Sequence, residues 1–307
     1  MMKKFLLFAL LAFAQTVHAQ EQSPATFDEA MALFEDGKYA DAKPLAEEFA
    51  GKDDQRAMVM LATIFQKGLG VEVDPKQAQF WFTKAADKGN VEAEFSLGML
   101  LLDGSLGEPN LEEGAPWLEK AAMAGNFQAQ YNLALFYSGI YNNPPAWKDA
   151  ALWFQKAADQ GFADAQYNLA LLYIDGRGVD KNMVTAATWF SKAAVQGMPD
   201  AALEYGVLVF RGEGVQKDET LGAKWLLVAA NHGNPVAMNR MSKLYATGHG
   251  VDVDAVEAAK WNILAKAGGR SDSTLDEAMA KMPADLLTQA QERAAAFTVM
   301  PMGVPKN

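Results

Sequence analysis

Short glycine pairs recur along the chain, and such pairs cradle phosphate groups when the rest of a nucleotide-binding motif accompanies them. The pairs have the pattern Gly-x-Gly and are Gly68/Gly70, Gly176/Gly178, Gly212/Gly214 and Gly248/Gly250. A dinucleotide site needs a third glycine, and a P-loop needs Gly-Lys-Ser or Gly-Lys-Thr, neither of which follows these pairs. The pairs therefore predict loops in which glycine supplies a positive φ, and no nucleotide cofactor is expected.

Side chains for metal or nucleophilic chemistry are scarce. The chain has no cysteine, and beyond its first 20 residues it has two histidines, His232 and His249. Neither histidine stands in an H-E-x-x-H motif, and no G-x-S-x-G motif is present. We interpret both histidines as surface loop residues and expect no metal, no cofactor and no catalytic residue.

Two acid pairs, Asp53-Asp54 and Glu112-Glu113, are the remaining candidates for acid–base chemistry. Each pair stands at the start of a predicted helix, where the helix dipole stabilises negative charge. The position of both pairs therefore predicts helix capping and not catalysis.

The first 20 residues have the plan of a secretory signal peptide. Lys3 and Lys4 precede the apolar run from Phe5 to Ala14, and Val17-His18-Ala19 is a small-x-small cleavage site. We expect cleavage after Ala19 and a periplasmic or secreted mature protein. No later segment reaches the ~18 apolar residues of a membrane helix, so no stable membrane insertion is expected.

The charge of the chain is strongly acidic. Removal of residues 1–19 leaves 25 Lys+Arg against 38 Asp+Glu, a formal net charge of about −13. Such a surface repels phosphate backbones and anionic lipids, so nucleic acid is not an expected partner. Without cysteine no disulfide framework is possible, and stability must come from packing.

An internal repeat sets the elements that would position any site. Tryptophan recurs every 36 residues, glycine keeps the same step from Gly89 to Gly269, and alanine keeps it from Ala57 to Ala237. The tryptophans are Trp81, Trp117, Trp153, Trp189, Trp225 and Trp261. A fixed period of this length predicts a solenoid in which each unit buries its apolar face against the next.

One unit shows the predicted local structure. Leu169, Leu172 and Tyr173 have helical spacing, and a glycine loop follows them at residues 175–179. A second helix is predicted at about residues 183–196, ended by Gly197. A small residue recurs in the first helix, where it would let the partner helix approach closely: Ala62, Gly98, Ala134, Ala170, Gly206 and Ser242.

The pattern A-x3-L-[GA]-x2-Y-x2-G-x-G-V, then A-x2-W-[FL]-x-K-A-A-x2-G, resembles Sel1-like repeats, which are relatives of the tetratricopeptide (TPR) repeats. Residues 165–197 match it almost position for position. The resemblance implies an all-α fold, a right-handed α-solenoid of Sel1-like, TPR-like helical hairpins. The third unit departs from the pattern in its loop at residues 138–145, and the sixth carries Asn262 where Phe or Leu is expected.

The predicted organisation has five parts. The signal peptide covers 1–19, a TPR-like capping hairpin 20–56, six repeats 57–269, C-terminal capping helices 270–299, and a tail 300–307. Caps of this kind are what a solenoid requires for solubility.

The resemblance also implies a binding face, since the first helix of each TPR-like hairpin lines the concave side of the solenoid. Two positions per unit would point inward there: Phe95, Met99, Tyr131, Leu135, Tyr167, Leu171, Leu203 and Val207. We call these eight residues the candidate face, and we expect Gln130, Asn132, Gln166 and Asn168 to edge it. The face would suit a partner helix or extended segment, although packing against the neighbouring unit explains the same residues.

The resemblance implies a non-catalytic exported protein that binds other proteins as an adaptor or regulator of envelope signalling. A membrane sensor or envelope complex is the expected partner, and the oligomeric state is not predicted. One alternative is a secreted or cell-wall-associated virulence or host-interaction factor. Another is a β-lactamase-like or penicillin-binding hydrolase, but the Sel1-like proteins of that kind have a disulfide in each repeat. This chain has no cysteine and lacks the S-x-x-K, S-D-N and K-T-G set.

Overall fold

The computed structural model describes residues 26–300, and within that range the chain forms sixteen α-helices and no strand. The predicted signal peptide and all of the predicted tail except Met300 lie outside the described residues. The all-α arrangement of sequential helical hairpins that the repeat pattern predicts is confirmed.

The helices have the following bounds: α1 (Phe27–Glu35), α2 (Tyr39–Gly51), α3 (Gln55–Lys67), α4 (Pro75–Ala86), α5 (Val91–Leu102), α6 (Leu111–Met123), α7 (Phe127–Tyr137), α8 (Trp147–Asp159), α9 (Ala163–Asp175), α10 (Met183–Val195), α11 (Pro199–Arg211), α12 (Glu219–Asn231), α13 (Pro235–Thr247), α14 (Ala255–Ala267), α15 (Ser273–Ala280) and α16 (Ala284–Ala295). The predicted second helix at 183–196 agrees with α10 to within one residue.

The described chain divides into two compact units, and the boundary between Lys84 and Ala85 falls inside α4. In the first unit, α1 packs on α2 and α2 packs on α3. In the second unit, each helix from α5 to α14 packs mainly on its neighbours in sequence, and α16 packs on α14. Contacts confined to neighbouring elements are the defining property of a repeat solenoid.

Side-chain caps start most of the helices. The side chain of Asn126 accepts a hydrogen bond of 2.8 Å from the backbone N–H of Ala129 at the start of α7. Asn90 does the same for Ala93 at the start of α5, at 2.9 Å. The predicted cap at Asp54 is confirmed, since its carboxylate accepts from the backbone N–H of Arg56 at 2.9 Å. These bonds satisfy amides that a helix start leaves unpaired.

Small residues allow the two helices of a hairpin to approach closely, as the repeat predicts. A Cβ added to Gly98 of α5 would lie 2.9 Å from Cγ of Leu118 in α6. Gly206 of α11 is equally crowded by α12, and Ala134 and Ala170 are fully buried at the same repeat position. Ser242 fits there because its hydroxyl donates a hydrogen bond of 2.6 Å to the carbonyl of Ala258.

The Gly-x-Gly loops connect the first and second helices within a repeat. The first glycine of each pair ends its helix in the left-handed conformation, as Gly176 does with a φ of 70°. The second glycine lies against the start of an earlier helix. A Cβ on Gly178 would collide with the carbonyl of Trp147 at the start of α8, and one on Gly214 would collide with that of Met183. The positive φ is as predicted, and close backbone approach explains why the second position is also glycine.

Candidate protein-binding face

The candidate face lies on the first helices of four consecutive hairpins. Each helix contributes two residues four positions apart, which one turn of helix places on the same side. The pairs are Phe95 and Met99 on α5, Tyr131 and Leu135 on α7, Tyr167 and Leu171 on α9, and Leu203 and Val207 on α11.

Exposure differs along the candidate face. The six residues on α5, α7 and α9 are partly buried and pack against the main hydrophobic core. Leu203 and Val207 on α11 are buried, with 6% and 8% of their surface accessible. The solvent-accessible part of the face therefore lies on α5, α7 and α9, and its α11 end belongs to the core.

The two tyrosines are held by neighbouring rings. The ring of Tyr131 lies edge-on to that of Phe162, with centroids 5.0 Å apart, and 5.7 Å from that of Phe154. The ring of Tyr167 is tilted against that of Phe190, with centroids 5.5 Å apart, as the ring of Tyr131 is tilted against that of Phe154. Burial raises the pKa of both tyrosine hydroxyls above the ordinary value, and nearby acids add to the effect. Both tyrosines thus serve packing as well as lining the face.

The prediction that Gln130 and Gln166 edge the face is wrong, since both side chains are buried, with 5% and 4% of their surface accessible. Each side chain donates to a main-chain carbonyl of the preceding hairpin: Gln130 to Ala122 at 3.0 Å and Gln166 to Ala158 at 3.2 Å. A glutamine at this position can be buried because its side-chain amide donates a hydrogen bond to a carbonyl in the last turn of the preceding helix. Asn132 and Asn168 remain partly exposed.

The polarity of this side changes beyond α11. On α13 the repeat places Asn239 and Lys243 where earlier hairpins have apolar residues. The ammonium of Lys243 lies 2.6 Å from the carboxylate of Asp272, which also caps α15. Arg240 and Lys243 of α13 line a small cavity together with Arg211 of α11. The repeat pattern gave no reason to select Arg211 or Arg240.

The candidates for other chemistry do not converge. Among residues 26–300, no group of three or more metal-binding side chains lies together, and no helix is long and apolar enough to cross a membrane. Nδ1 of His232 lies 2.8 Å from the carbonyl of Val228, and Nδ1 of His249 lies 2.8 Å from the hydroxyl of Thr247. Each imidazole is thus bonded within its own helix end or loop.

Six consecutive segments match the Sel1 repeat: residues 55–90, 91–126, 127–162, 163–198, 199–234 and 235–269. These segments cover more than half of the chain. The chain belongs to the Sel1 repeat family. Each segment contains one first helix and one second helix of the fold.

Two solved Sel1-type structures are similar to this protein. One is a protective antigen of uropathogenic Escherichia coli strains with an SLR fold, 27% identical, with a TM-score of 0.74 over 89% of this chain. This chain spans 61% of the length of that antigen. The other is a Sel1 repeat protein from Oxalobacter formigenes, 29% identical, with a TM-score of 0.67 over 79% of this chain and all of the other. No curated protein matches the chain.

A more distant neighbour shows the same architecture. The C-terminal part of a TPR repeat-containing protein from Cytophaga hutchinsonii is 14% identical and has a TM-score of 0.52 over 82% of this chain and 98% of the other. The likeness at this identity concerns the fold alone, and it agrees with an SLR/TPR-like solenoid.

The lysine of the Sel1 motif has a structural role in this protein. In four repeats the lysine ammonium lies over the ring of the tryptophan three residues earlier, at 5.2 Å for Lys84, 3.7 Å for Lys120, 4.2 Å for Lys156 and 3.7 Å for Lys192. Residues three apart are neighbours on a helix surface, and a cation over an indole face is stabilising. The fifth repeat has Val228 at this position and so lacks the contact.

Proposed function

We propose that this Sel1 repeat protein is exported and binds another protein along the candidate face, as a non-catalytic adaptor or regulator of envelope signalling. One observation carries the proposal. Apolar side chains at the same two repeat positions remain partly open to solvent on three consecutive first helices: Phe95, Met99, Tyr131, Leu135, Tyr167 and Leu171. Repeats of the TPR type typically mediate protein binding, and an apolar row of this kind suits an extended segment or helix.

Charge and the N-terminal sequence support the same proposal. The acidic chain disfavours nucleic acid and anionic lipid as ligands, which leaves proteins as the main class of macromolecular partner. The leader-like plan of residues 1–19 supports export to the periplasm. A membrane sensor or envelope complex is the partner class that such a location would offer.

A second candidate function is that of a secreted or cell-wall-associated factor that contacts a host. The likeness to the protective antigen of uropathogenic Escherichia coli strains favours it, at 27% identity. This candidate requires the same face but a different location. Fractionation of cells into medium, wall, periplasm and cytoplasm separates the two candidates.

The binding proposal is tested by affinity capture from cells after in-cell crosslinking. The double variant Leu135→Ser/Leu171→Ser removes two partly exposed apolar contacts from the candidate face. Leu152→Ser is the matched control, because Leu152 is 51% exposed and lies on the second helix α8. We expect the double variant to lose the captured partner while the control retains it, with unchanged helical circular dichroism in both. Equal capture of the partner by both variants would refute binding at the candidate face.

A further inference from the structure

A guanidinium group without a partner lies between α11 and α13. No hydrogen bond or ion pair joins Arg240 to another residue in the described range, and its Nε is fully buried without an acceptor. A guanidinium carries five N–H donors and stays charged in proteins. Partial burial of such a group without an acceptor costs stability, so an unpaired arginine in this setting calls for an explanation.

The surroundings of Arg240 combine a cationic rim with apolar walls. A cavity of about 150 Å³ lies beside it, and α11 contributes Val207, Phe210 and Arg211 to the lining. Leu226 of α12 and, on α13, Lys243 and Leu244 complete the wall. The cavity is smaller than the pockets of roughly 300 Å³ and more that hold drug-sized ligands, so it has room for a single side chain.

The other two cations at the cavity already have acidic neighbours. Lys243 pairs with Asp272 at 2.6 Å, and Arg211 lies 3.6 Å from Glu213. Burial lowers the pKa of Arg240, and the positive charges of Arg211 and Arg270 lower it further, against the opposing influence of Glu204. Burial likewise raises the pKa of Glu204, which makes no ion pair with Arg240. Arg240 is therefore the cation at this cavity that makes no ion pair within the described residues, although the carboxylate of Glu204 acts on it from a longer distance.

We propose that this cavity binds the C-terminal residue of a partner protein, whose carboxylate pairs with Arg240 and whose apolar side chain enters between Phe210 and Leu244. A planar guanidinium matches a carboxylate in a two-bond geometry. A free carboxylate and an apolar side chain occur on one residue only at the C-terminus of a protein, whereas an internal Asp or Glu supplies the acid alone. Val207, at the buried α11 end of the candidate face, also lines the cavity, so this inference rests on the proposed function and assigns an end point to the bound segment.

The test is fluorescence anisotropy of the full mature protein with labelled hexapeptides. The peptides share a Gly-Ser body and end in Val, Leu, Met or Phe, each as the free acid and as the amide. We expect at least one free acid to bind with a Kd at least about tenfold below that of its amide. Arg240→Gln should weaken that acid by at least about tenfold, and Arg177→Gln, which removes the same charge from an exposed loop, should not. No saturable binding of any acid up to about 1 mM, or equal binding of acid and amide, overturns the inference.

Two further measurements keep the result decisive. Arg240→Lys keeps the positive charge but loses the planar guanidinium that can form two parallel hydrogen bonds to a carboxylate. The variant should therefore bind the free acid more weakly than the native protein while melting at the same temperature. A photo-crosslinker at position 171, on the candidate face, reports partner contact independently of the cavity. If crosslinking at position 171 is retained but Arg240→Gln leaves peptide binding unchanged, this inference is overturned and the proposed function stands. Absence of crosslinking together with Arg240-dependent binding of the acid supports the cavity and counts against the wider face.

Discussion

The side-chain amide of Gln196 donates a hydrogen bond of 2.8 Å to the side-chain oxygen of Gln166. One repeat earlier, Gln160 donates to Gln130 at the same distance. Because Gln166 also donates to the carbonyl of Ala158, its buried amide joins the preceding repeat to the end of its own. These paired amides form hydrogen bonds between successive Sel1 repeats within a core that consists mainly of alanine, leucine and aromatic side chains.

Replacement of Gln166 by leucine should destabilise the protein by about 1–3 kcal/mol. The variant leaves the carbonyl of Ala158 and the amide of Gln196 without their partner, which costs more than a hydrogen bond adds. Urea unfolding followed by circular dichroism measures the change. Gln155→Leu on the exposed side of α8 is the control, and an equal effect of the two variants would show that the buried network contributes nothing.

Glu94 occupies the position of Gln130 and Gln166 in the second repeat, and Glu94→Gln should stabilise the protein at neutral pH. Burial raises the pKa of Glu94 above its ordinary value, and Lys120 opposes this in part. A folded-state pKa above the unfolded one means that the charged form opposes folding. A neutral amide removes that penalty and can donate to the carbonyl of the preceding helix, as Gln130 does.

The stabilisation by Glu94→Gln should depend on pH with a defined sign. It should be present at pH 7 and shrink as the pH falls through the raised pKa, reaching its minimum below about pH 4, where Glu94 is protonated in both states. Thermal melts of both proteins from pH 3.5 to 7.5 measure the difference. A difference that grows towards low pH would contradict the assigned cause.

Two glycines with positive φ should respond differently to alanine. Gly178 and Gly161 have φ values of 72° and 92°, so both variants carry backbone strain. A Cβ at position 178 would collide with the main chain of Trp147, whereas a Cβ at position 161 would meet nothing within 4 Å. Gly178→Ala should therefore lower the Tm by clearly more than Gly161→Ala, as differential scanning calorimetry can show. Equal losses would mean that φ alone requires glycine at position 178.

Trp153→Ala should cost about 3–5 kcal/mol of unfolding free energy, because the ring is 6% exposed within the main core. Lys156→Ala removes the ammonium 4.2 Å above that ring and should cost about 0.5–1 kcal/mol. Chemical denaturation of both variants separates packing from the cation–π contact. A Trp153→Ala protein with an unchanged denaturation midpoint would contradict the burial of the ring.

The 36-residue period predicted the hairpins because the residues that pack against the neighbouring repeat recur at the same position in every repeat. Such a recurrence is visible in the local sequence. The sequence also predicted the residues at the helix ends, because a helix end requires a positive φ or a side-chain cap. These residues are the glycine pairs, Gly197 and the N-cap Asp54. The collision of a Cβ on Gly178 with Trp147 was not predictable from local pattern, since it depends on how one repeat lies on the previous one.

Side chains that serve two repeats at once were the least predictable. Gln130 and Gln166 resemble exposed polar residues in sequence, and only the position of the preceding helix end shows that they are bonded inside. Leu203 and Val207 follow the repeat phase of the candidate face but are buried, unlike the equivalent residues on α5, α7 and α9. The cavity beside Arg240 is also lined by Arg211 and Phe210, which lie about 30 residues away in the neighbouring repeat.

The most direct test of partner binding is site-specific photo-crosslinking in living cells. A benzophenone amino acid is placed at position 135 or 171 of the candidate face, and at position 152 of α8 as the control. The account predicts one shared crosslinked protein from positions 135 and 171 and none of it from position 152. No crosslink from the face, or the same product from all three positions, would contradict partner binding along the first helices.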